Sequence, residues 1–235
     1  MVDFEYKIYG SAEKPQNLVV FIHGYKSSID DIACEAEKLA TFLPQAVVIT
    51  PQSDKFHKNN NVREWYDVSH YDIEHKRRNP ETPLEEVVEI YNQAGNDLCN
   101  QAPRINAFID KWQEKYNIDD CHTYLVGFSQ GATLAIYAGL CRERAVGGIF
   151  ALSGIVAGKD SLEQNINSRP KIYMLHGKQD NIIQFKTLDF SVQWLQNHQI
   201  PVKGIKYDLL EHKINAEELQ YIAETILNIK NTAYL

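Results

Sequence analysis

Between Leu125 and Thr133 the chain reads LVGFSQGAT, which sets one serine, Ser129, between Gly127 and Gly131. A serine hydroxyl attacks a carbonyl carbon only when a base takes its proton, so a serine presented this way calls for a histidine and an acid elsewhere. The run 123–128 has strand character, and the small, apolar run 132–140 has helix character. A G-x-S-x-G in that context predicts a nucleophile elbow. Side chains at 127 and 131 would collide with neighbouring backbone there, while the turn holds Ser129 in a strained conformation clear of the sheet.

The partners must come from other elements. Apolar runs of strand length recur at 18–22, 46–50, 123–128, 146–152, 171–175 and 202–207, and most are separated by segments of helical period. Ile29, Ile32, Ala33, Ala36, Leu39, Ala40 and Leu43 form one stripe behind the capping pair Ser28 and Asp31; Ile105, Phe108, Ile109, Trp112 and Tyr116 form another. Leu219, Ile222, Ala223 and Ile226 form a third behind an Asn215 cap. Leu84, Val87, Val88, Tyr91 and Leu98 predict a further helix, separated by Pro103 from the one that follows. The N-terminal MVDFEYKIYG alternates apolar and polar residues. Strands alternating with helices predict an α/β fold, a mostly parallel central sheet with helices on both faces. Length and the absence of a visible boundary predict one domain over 1–235, with an extended segment at about 69–96.

Parallel sheets place functional groups at the carboxyl ends of their strands. His23-Gly24-Tyr25 follows the run ending at Ile22, Ser129 follows Phe128, His176-Gly177-Lys178-Gln179-Asp180 follows Leu175, and His212 lies just beyond Tyr207. Ser129, Asp180 and His212 therefore form the predicted triad of nucleophile, acid and base, with the backbone amides of Gln130 and Tyr25 as oxyanion donors. Asp160 and Asp189 compete for the acid position, but neither follows a strand so directly. His23, His176 and His198 compete for the base; the first two precede glycines in turns and the third closes a helix. Trp65, after the strand ending at Thr50, is expected to border the cleft opposite Ile155 and Val156, which would wall an acyl groove; the competing expectation for all three is burial in the core. His70 and His75 stand five apart near carboxylates without a metal-ligand spacing, so neither a metal nor a cofactor is expected.

Twenty-four Lys and Arg against 31 Asp and Glu leave a net charge of -7 with no long single-sign block, which argues against nucleic acid as a partner. No signal peptide and no run long enough to span a membrane is visible. Cys34, Cys99, Cys121 and Cys141 lack paired spacing, as expected of free thiols in a reducing cytoplasm.

With these residues assembled, the sequence resembles the phospholipase/carboxylesterase family of α/β-hydrolases, which includes the acyl-protein thioesterases. The resemblance rests on His23-Gly24, Trp65-Tyr66-Asp67, Gly127-Phe128-Ser129-Gln130-Gly131, Leu152-Ser153-Gly154, His176-Gly177 with Asp180, and His212. It implies a serine hydrolase that cleaves esters or thioesters of acyl chains through an acyl-enzyme, without a cofactor, on a small-molecule or lipid acyl ester or an acylated protein. The chain departs from the family pattern at Tyr25-Lys26-Ser27-Ser28, where a further glycine and an aspartate are usual, at Glu211, where a glycine is common, and at Gln184, where proline is usual. The alternatives are a binding protein on a catalytically impaired hydrolase scaffold, which predicts erosion of the triad, and a dienelactone-hydrolase-like enzyme, which would carry cysteine at the elbow.

Overall fold

The computed structural model describes residues 4–10, 13–57 and 62–232. Its strands are β1 (Tyr6–Gly10), β2 (Asn17–Ile22), β3 (Ala46–Pro51), β4 (Thr123–Phe128), β5 (Gly148–Leu152), β6 (Ile172–Gly177) and β7 (Val202–Tyr207). Its α-helices are α1 (Ala33–Phe42), α2 (Val68–Tyr71), α3 (Leu84–Asn92), α4 (Gly95–Tyr116), α5 (Gln130–Leu140), α6 (Lys159–Glu163), α7 (Lys186–Asn197) and α8 (Ala216–Thr232). The strands form one seven-stranded sheet in the order β1-β3-β2-β4-β5-β6-β7, parallel except for the antiparallel edge strand β1. The six predicted strands all form, and the alternating N-terminal stretch supplies β1.

Burial follows the strand period. Leu18, Val20 and Ile22 of β2 face a core shared with α3, α4, α5 and α7, while Val19 and Phe21 face a second core under α1 and α8. A central strand with both faces covered must be apolar throughout, which is why β2 and β3 read as continuous apolar runs. Among the described residues no helix is long and apolar enough to cross a membrane, and none of the four cysteines forms a disulfide.

The helix boundary expected at Pro103 does not form. The 22 residues of α4 run through that proline, and the break falls earlier, at Gln93 and Ala94 between α3 and α4. An interior proline costs a helix about 3 kcal/mol. Burying Leu98, Ile105, Phe108 and Ile109 contributes about 1.5–3 kcal/mol each, and that outweighs the defect. The helix ends instead at Asn117, whose left-handed conformation (φ +51°) lets the chain turn back into β4.

The elbow between β4 and α5 is tightly packed against neighbouring backbone. Ser129 has φ +55° and ψ -116°, a conformation that L residues rarely adopt. A Cβ on Gly131 would fall on the carbonyl oxygens of Ile22 and His23, and one on Gly127 would fall on the carbonyl of Gly131. Both collisions are with backbone, which cannot rotate away. Gly131→Ala should therefore lower the urea midpoint by an amount equivalent to about 1–3 kcal/mol or more. The control is Gly148→Ala in β5, where the nearest atom would be 3.6 Å away on Tyr124; a gain of about 0.4–1 kcal/mol is expected there. Equal midpoints for the two variants would refute the steric account.

Candidate active site

The parallel sheet sets the ends of β4, β6 and β7 on one edge, with β5 between β4 and β6, and three side chains far apart in sequence meet there. His212 Nε2 lies 3.1 Å from Ser129 Oγ, and His212 Nδ1 lies 2.8 Å from Asp180 Oδ2. A carboxylate only accepts, so Nδ1 carries the proton, and in the neutral ring Nε2 accepts from the serine hydroxyl. Asp180 Oδ1 accepts the amides of Ile182 (2.9 Å) and Ile183 (2.8 Å). Burial alone would raise the Asp180 pKa, but the hydrogen bonds from His176, His212 and the Ile182 amide hold it well below the usual carboxylate range.

The competing residues sit elsewhere. Asp160 pairs with Lys159 and Asn92, and Asp189 with Lys206. His198 stacks on Trp194. His23 is buried, donates from Nδ1 to the Gly24 carbonyl and accepts from the Ser53 amide, and burial pushes its pKa down to about 4. His176 donates from Nε2 to the Ile183 carbonyl (2.9 Å) and lies 3.4 Å from Asp180, so it braces the acid loop.

Residues 5–229 match a family model described as phospholipase/carboxylesterase. The chain belongs to the phospholipase/carboxylesterase family. It is 28% identical over 130 residues to a probable SOBER1-like carboxylesterase of Arabidopsis thaliana, covering 54% of this chain and 49% of that protein. It is 27% identical over 111 residues to acyl-protein thioesterase 1 of Aspergillus fumigatus, covering 45% of this chain and 46% of that protein. The chain thus aligns with about half the length of these curated relatives. In fold it is similar to the crystal structure of esterase PE8, with a TM-score of 0.80 and 22% identity over 97% of this chain and 100% of that one. It is likewise similar to Arabidopsis thaliana SOBER1, with a TM-score of 0.74 and 19% identity over 91% of this chain and 98% of that one.

Within this family member the glutamine of GFSQG has a role that its position beside the serine did not disclose. The Gln130 side chain accepts the Trp65 amide at 2.7 Å and donates to the Tyr66 carbonyl at 2.6 Å. This two-ended clamp ties the 65–66 backbone to the elbow. Tyr25 lines the same cavity as Ser129 and Gln130, and Lys26, at φ +56°, donates its amide to the Arg63 carbonyl (2.9 Å). The loop after β2 is thereby tied to the segment after β3.

The expected substrate wall differs. Trp65 is fully buried and donates from Nε1 to the His23 carbonyl at 2.9 Å, so it is core and does not line the Ser129 cavity; its neighbour Tyr66 does. Ile155 and Val156 are also fully buried, with the Val156 amide held by Ser191 Oγ at 3.0 Å. They pack the loop after β5 into the core and form no groove. The cavity at Ser129 is small, about 30 Å³, and is lined by Tyr66, Tyr91, Thr133, Ile182, Arg77 and Arg78 among others.

His70 and His75 form no joint site: His70 follows the Asp67 cap of α2, and His75 opens a 3-10 turn. His57, Glu64 and Asp67 do converge, with ligand atoms within 4.8 Å of one another. Lys55 stands 3.7 Å from Glu64 and supplies a cation there already. Of the family departures, Glu211 is exposed and pairs with Lys213 at 3.4 Å, and Gln184 reaches across to residues 77 and 79.

Beyond His212, α8 opens with a reciprocal box: Asn215 Oδ1 accepts the Glu218 amide (2.8 Å), and Glu218 Oε2 accepts the Asn215 amide (3.0 Å). Glu218 is completely buried, and burial pushes its pKa up to about 7.

Two outcomes follow from these contacts. Gln130→Met would strand the Trp65 amide and the Tyr66 carbonyl, at about 1–3 kcal/mol for each buried group, and amide exchange at Trp65 should accelerate with it. Unchanged exchange would mean that the clamp carries no strain-bearing load. For Glu218, the unfolded chain releases a proton near the ordinary value of 4.5 that the folded chain keeps to about pH 7. Stability therefore falls as pH rises through that window, by on the order of 3 kcal/mol, and levels off above it. Glu218→Gln keeps an oxygen for the Asn215 amide and removes the titration, so its unfolding free energy should run flatter between about pH 4.5 and 7. Parallel curves for the two proteins would disprove the assignment.

Proposed function

We propose that this family member hydrolyses carboxylic esters or thioesters of acyl groups through an acyl-enzyme on Ser129. The observation that carries the reading is the unbroken chain Ser129 Oγ, His212 Nε2 and Nδ1, Asp180 Oδ2, with links of 3.1 and 2.8 Å. In the first half-reaction Ser129 Oγ bonds to the substrate carbonyl carbon as its proton passes to His212 Nε2. Asp180, held as the carboxylate, keeps the imidazolium oriented and stabilises its charge. The oxyanion of the tetrahedral intermediate accepts from the Gln130 and Tyr25 amides; the first sits at the N-terminus of α5, where the helix dipole favours negative charge. Collapse expels the alcohol or thiol, which takes the proton from His212. Water then repeats the sequence on the acyl-enzyme and releases the acid.

Names of relatives that include carboxylesterase and acyl-protein thioesterase support the ester or thioester class. Ester and thioester pass through the same tetrahedral geometry, so both belong to the proposal. The unbroken Ser129–His212–Asp180 contacts and a serine, not a cysteine, at the elbow support this reading over an impaired binding protein and over a cysteine-dependent lactonase.

The test is turnover of p-nitrophenyl butyrate together with labelling by a fluorophosphonate probe. Wild type should be labelled at Ser129 alone. Ser129→Ala, His212→Ala and their double variant should share one residual rate, roughly 10³-fold or more below wild type, because groups that act as a unit are not additive. Losses that multiply in the double variant, or a folded Asp180→Asn protein with full activity, would overturn the assignment.

A further inference from the structure

We infer from Arg77 and Arg78 in the wall of the Ser129 cavity that the substrate carries an anionic oxygen group, a carboxylate or a phosphate, a few bonds from the scissile carbonyl. This rests on the hydrolase reading of Ser129 and narrows its substrate.

Arg77 is 4% exposed and lines the cavity that Ser129 opens into. Its Nε comes within 3.3 Å of Asp72 Oδ2, but neither atom is aligned for a hydrogen bond, and among the described residues Nε and Nη1 of Arg77 find no hydrogen-bond partner. A buried guanidinium with donors to spare is costly unless something accepts from it. Asp72 cancels one charge. Arg78 lines the same cavity and adds a second positive charge, so this wall carries one more cation than anion. Tyr66 and Thr133 line the cavity too, with a hydrogen bond between their side chains. Val68, Ile182 and Ile183 supply apolar wall beside the arginines, while the aliphatic residues expected to form an acyl groove, Ile155 and Val156, are buried elsewhere.

The arginine turn is held in place by side chains of the acid loop and of α7. Gln184 Nε2 donates to the Arg77 carbonyl and to the Asn79 carbonyl, both at 2.8 Å. Lys186 Nζ donates to the Thr82 carbonyl at 2.6 Å and the Pro80 carbonyl at 3.2 Å. Four hydrogen bonds thus fix the backbone of the turn that carries the two arginines against the loop that holds Asp180 and the start of α7. Gln184 is one of the positions at which the chain departs from its family's usual residue. A proline there has no amide to donate, so the departure and the placed arginines belong to one arrangement.

Two matched pairs of esters read the subsite. Monoethyl adipate against ethyl hexanoate places the carboxylate on the acyl side, and 3-acetoxypropanoate against butyl acetate places it on the leaving side. The anionic member of one pair should be preferred by roughly tenfold or more in kcat/KM, the scale of a charge-assisted hydrogen bond. The preferred pair identifies the side. Arg78→Gln, and the double variant Asp72→Asn with Arg77→Gln, should bring the ratio within that pair toward one; the double variant removes both buried charges so that neither is stranded. Adipate and inorganic phosphate are tested in parallel for protection of Ser129 against the fluorophosphonate. Protection by phosphate and not adipate identifies a phosphate group.

Preference for the neutral member in both pairs, or a preference that survives both variants, overturns the subsite and leaves the hydrolase reading standing. Labelling of Ser129 with no turnover of any of the four esters and no protection by either anion overturns it likewise. Absence of both turnover and labelling overturns the hydrolase reading and the subsite with it.

Discussion

The close passage of α5 over the end of β2 sets the geometry on which everything else depends. Parallel pairing puts Ile22 beside Gly127, and the first turn of α5 then crosses so near the Ile22 and His23 carbonyls that no side chain fits at Gly131. This passage forces Ser129 into the left-handed region, since only that turn returns the chain over the sheet at such short range. The strain is local and of order 1–3 kcal/mol. Two apolar cores packed against both faces of the sheet sustain it. The same passage brings Gln130 to the 65–66 backbone and leaves the His23 carbonyl to Trp65 Nε1. The serine, the loop after β2 and the segment after β3 are consequently one rigid unit.

The second unit is the loop after β6, and it is held by polar contacts. Asp180 is completely buried in its side chain yet stays ionised, because two amides and two histidines converge on its oxygens. A buried carboxylate without such partners would take up a proton and lose its hold on His212. From the same loop Gln184 reaches the 77–79 turn, so one short segment orients the proposed base and anchors the cationic wall. Glu218 shows the opposite solution to burial. It has the reciprocal cap but keeps one oxygen unpaired, and its pKa rises. Hydrogen bonds and the His212 charge outweigh burial at Asp180, whereas at Glu218 burial and the Asp180 charge outweigh the one amide.

The strands, and the positions of Ser129, Asp180 and His212 just beyond them, were legible in the sequence because each depends on local pattern. Apolar runs mark buried strands, and catalytic side chains of a parallel sheet follow those runs by a few residues. The side of each loop that faces the cavity was not legible. Trp65 and Tyr66 are adjacent and both aromatic, and the turn that buries Trp65 against His23 and places Tyr66 on the cavity is fixed by Gln130, sixty-five and sixty-four residues away. Ile155 and Val156 follow a strand at the correct end of the sheet, but Ser191 of α7 draws that loop inward. Pro103 is a strong local signal that tertiary burial overrode. In each case a long-range contact decided, and no residue nearby in sequence announced it.

The cavity volume adds a constraint on how the site is used. About 30 Å³ corresponds to roughly one water molecule, far below the 300 Å³ or more of a typical ligand pocket. The cavity itself therefore holds no more than a few atoms next to the scissile carbonyl. Ser129, Gln130 and Tyr66 belong to the clamped elbow unit, and Ile182 and Ile183 are fixed through their amides to Asp180. Arg78 is the lining residue whose side chain lies toward solvent, on a turn held by backbone carbonyls and not by its own guanidinium. Its guanidinium thus stands at the solvent edge of the cavity, on a turn whose backbone is tied to the loop that holds Asp180. The part of the wall clamped to the elbow is the part next to Ser129, and the solvent edge carries the charge that would meet an incoming anion.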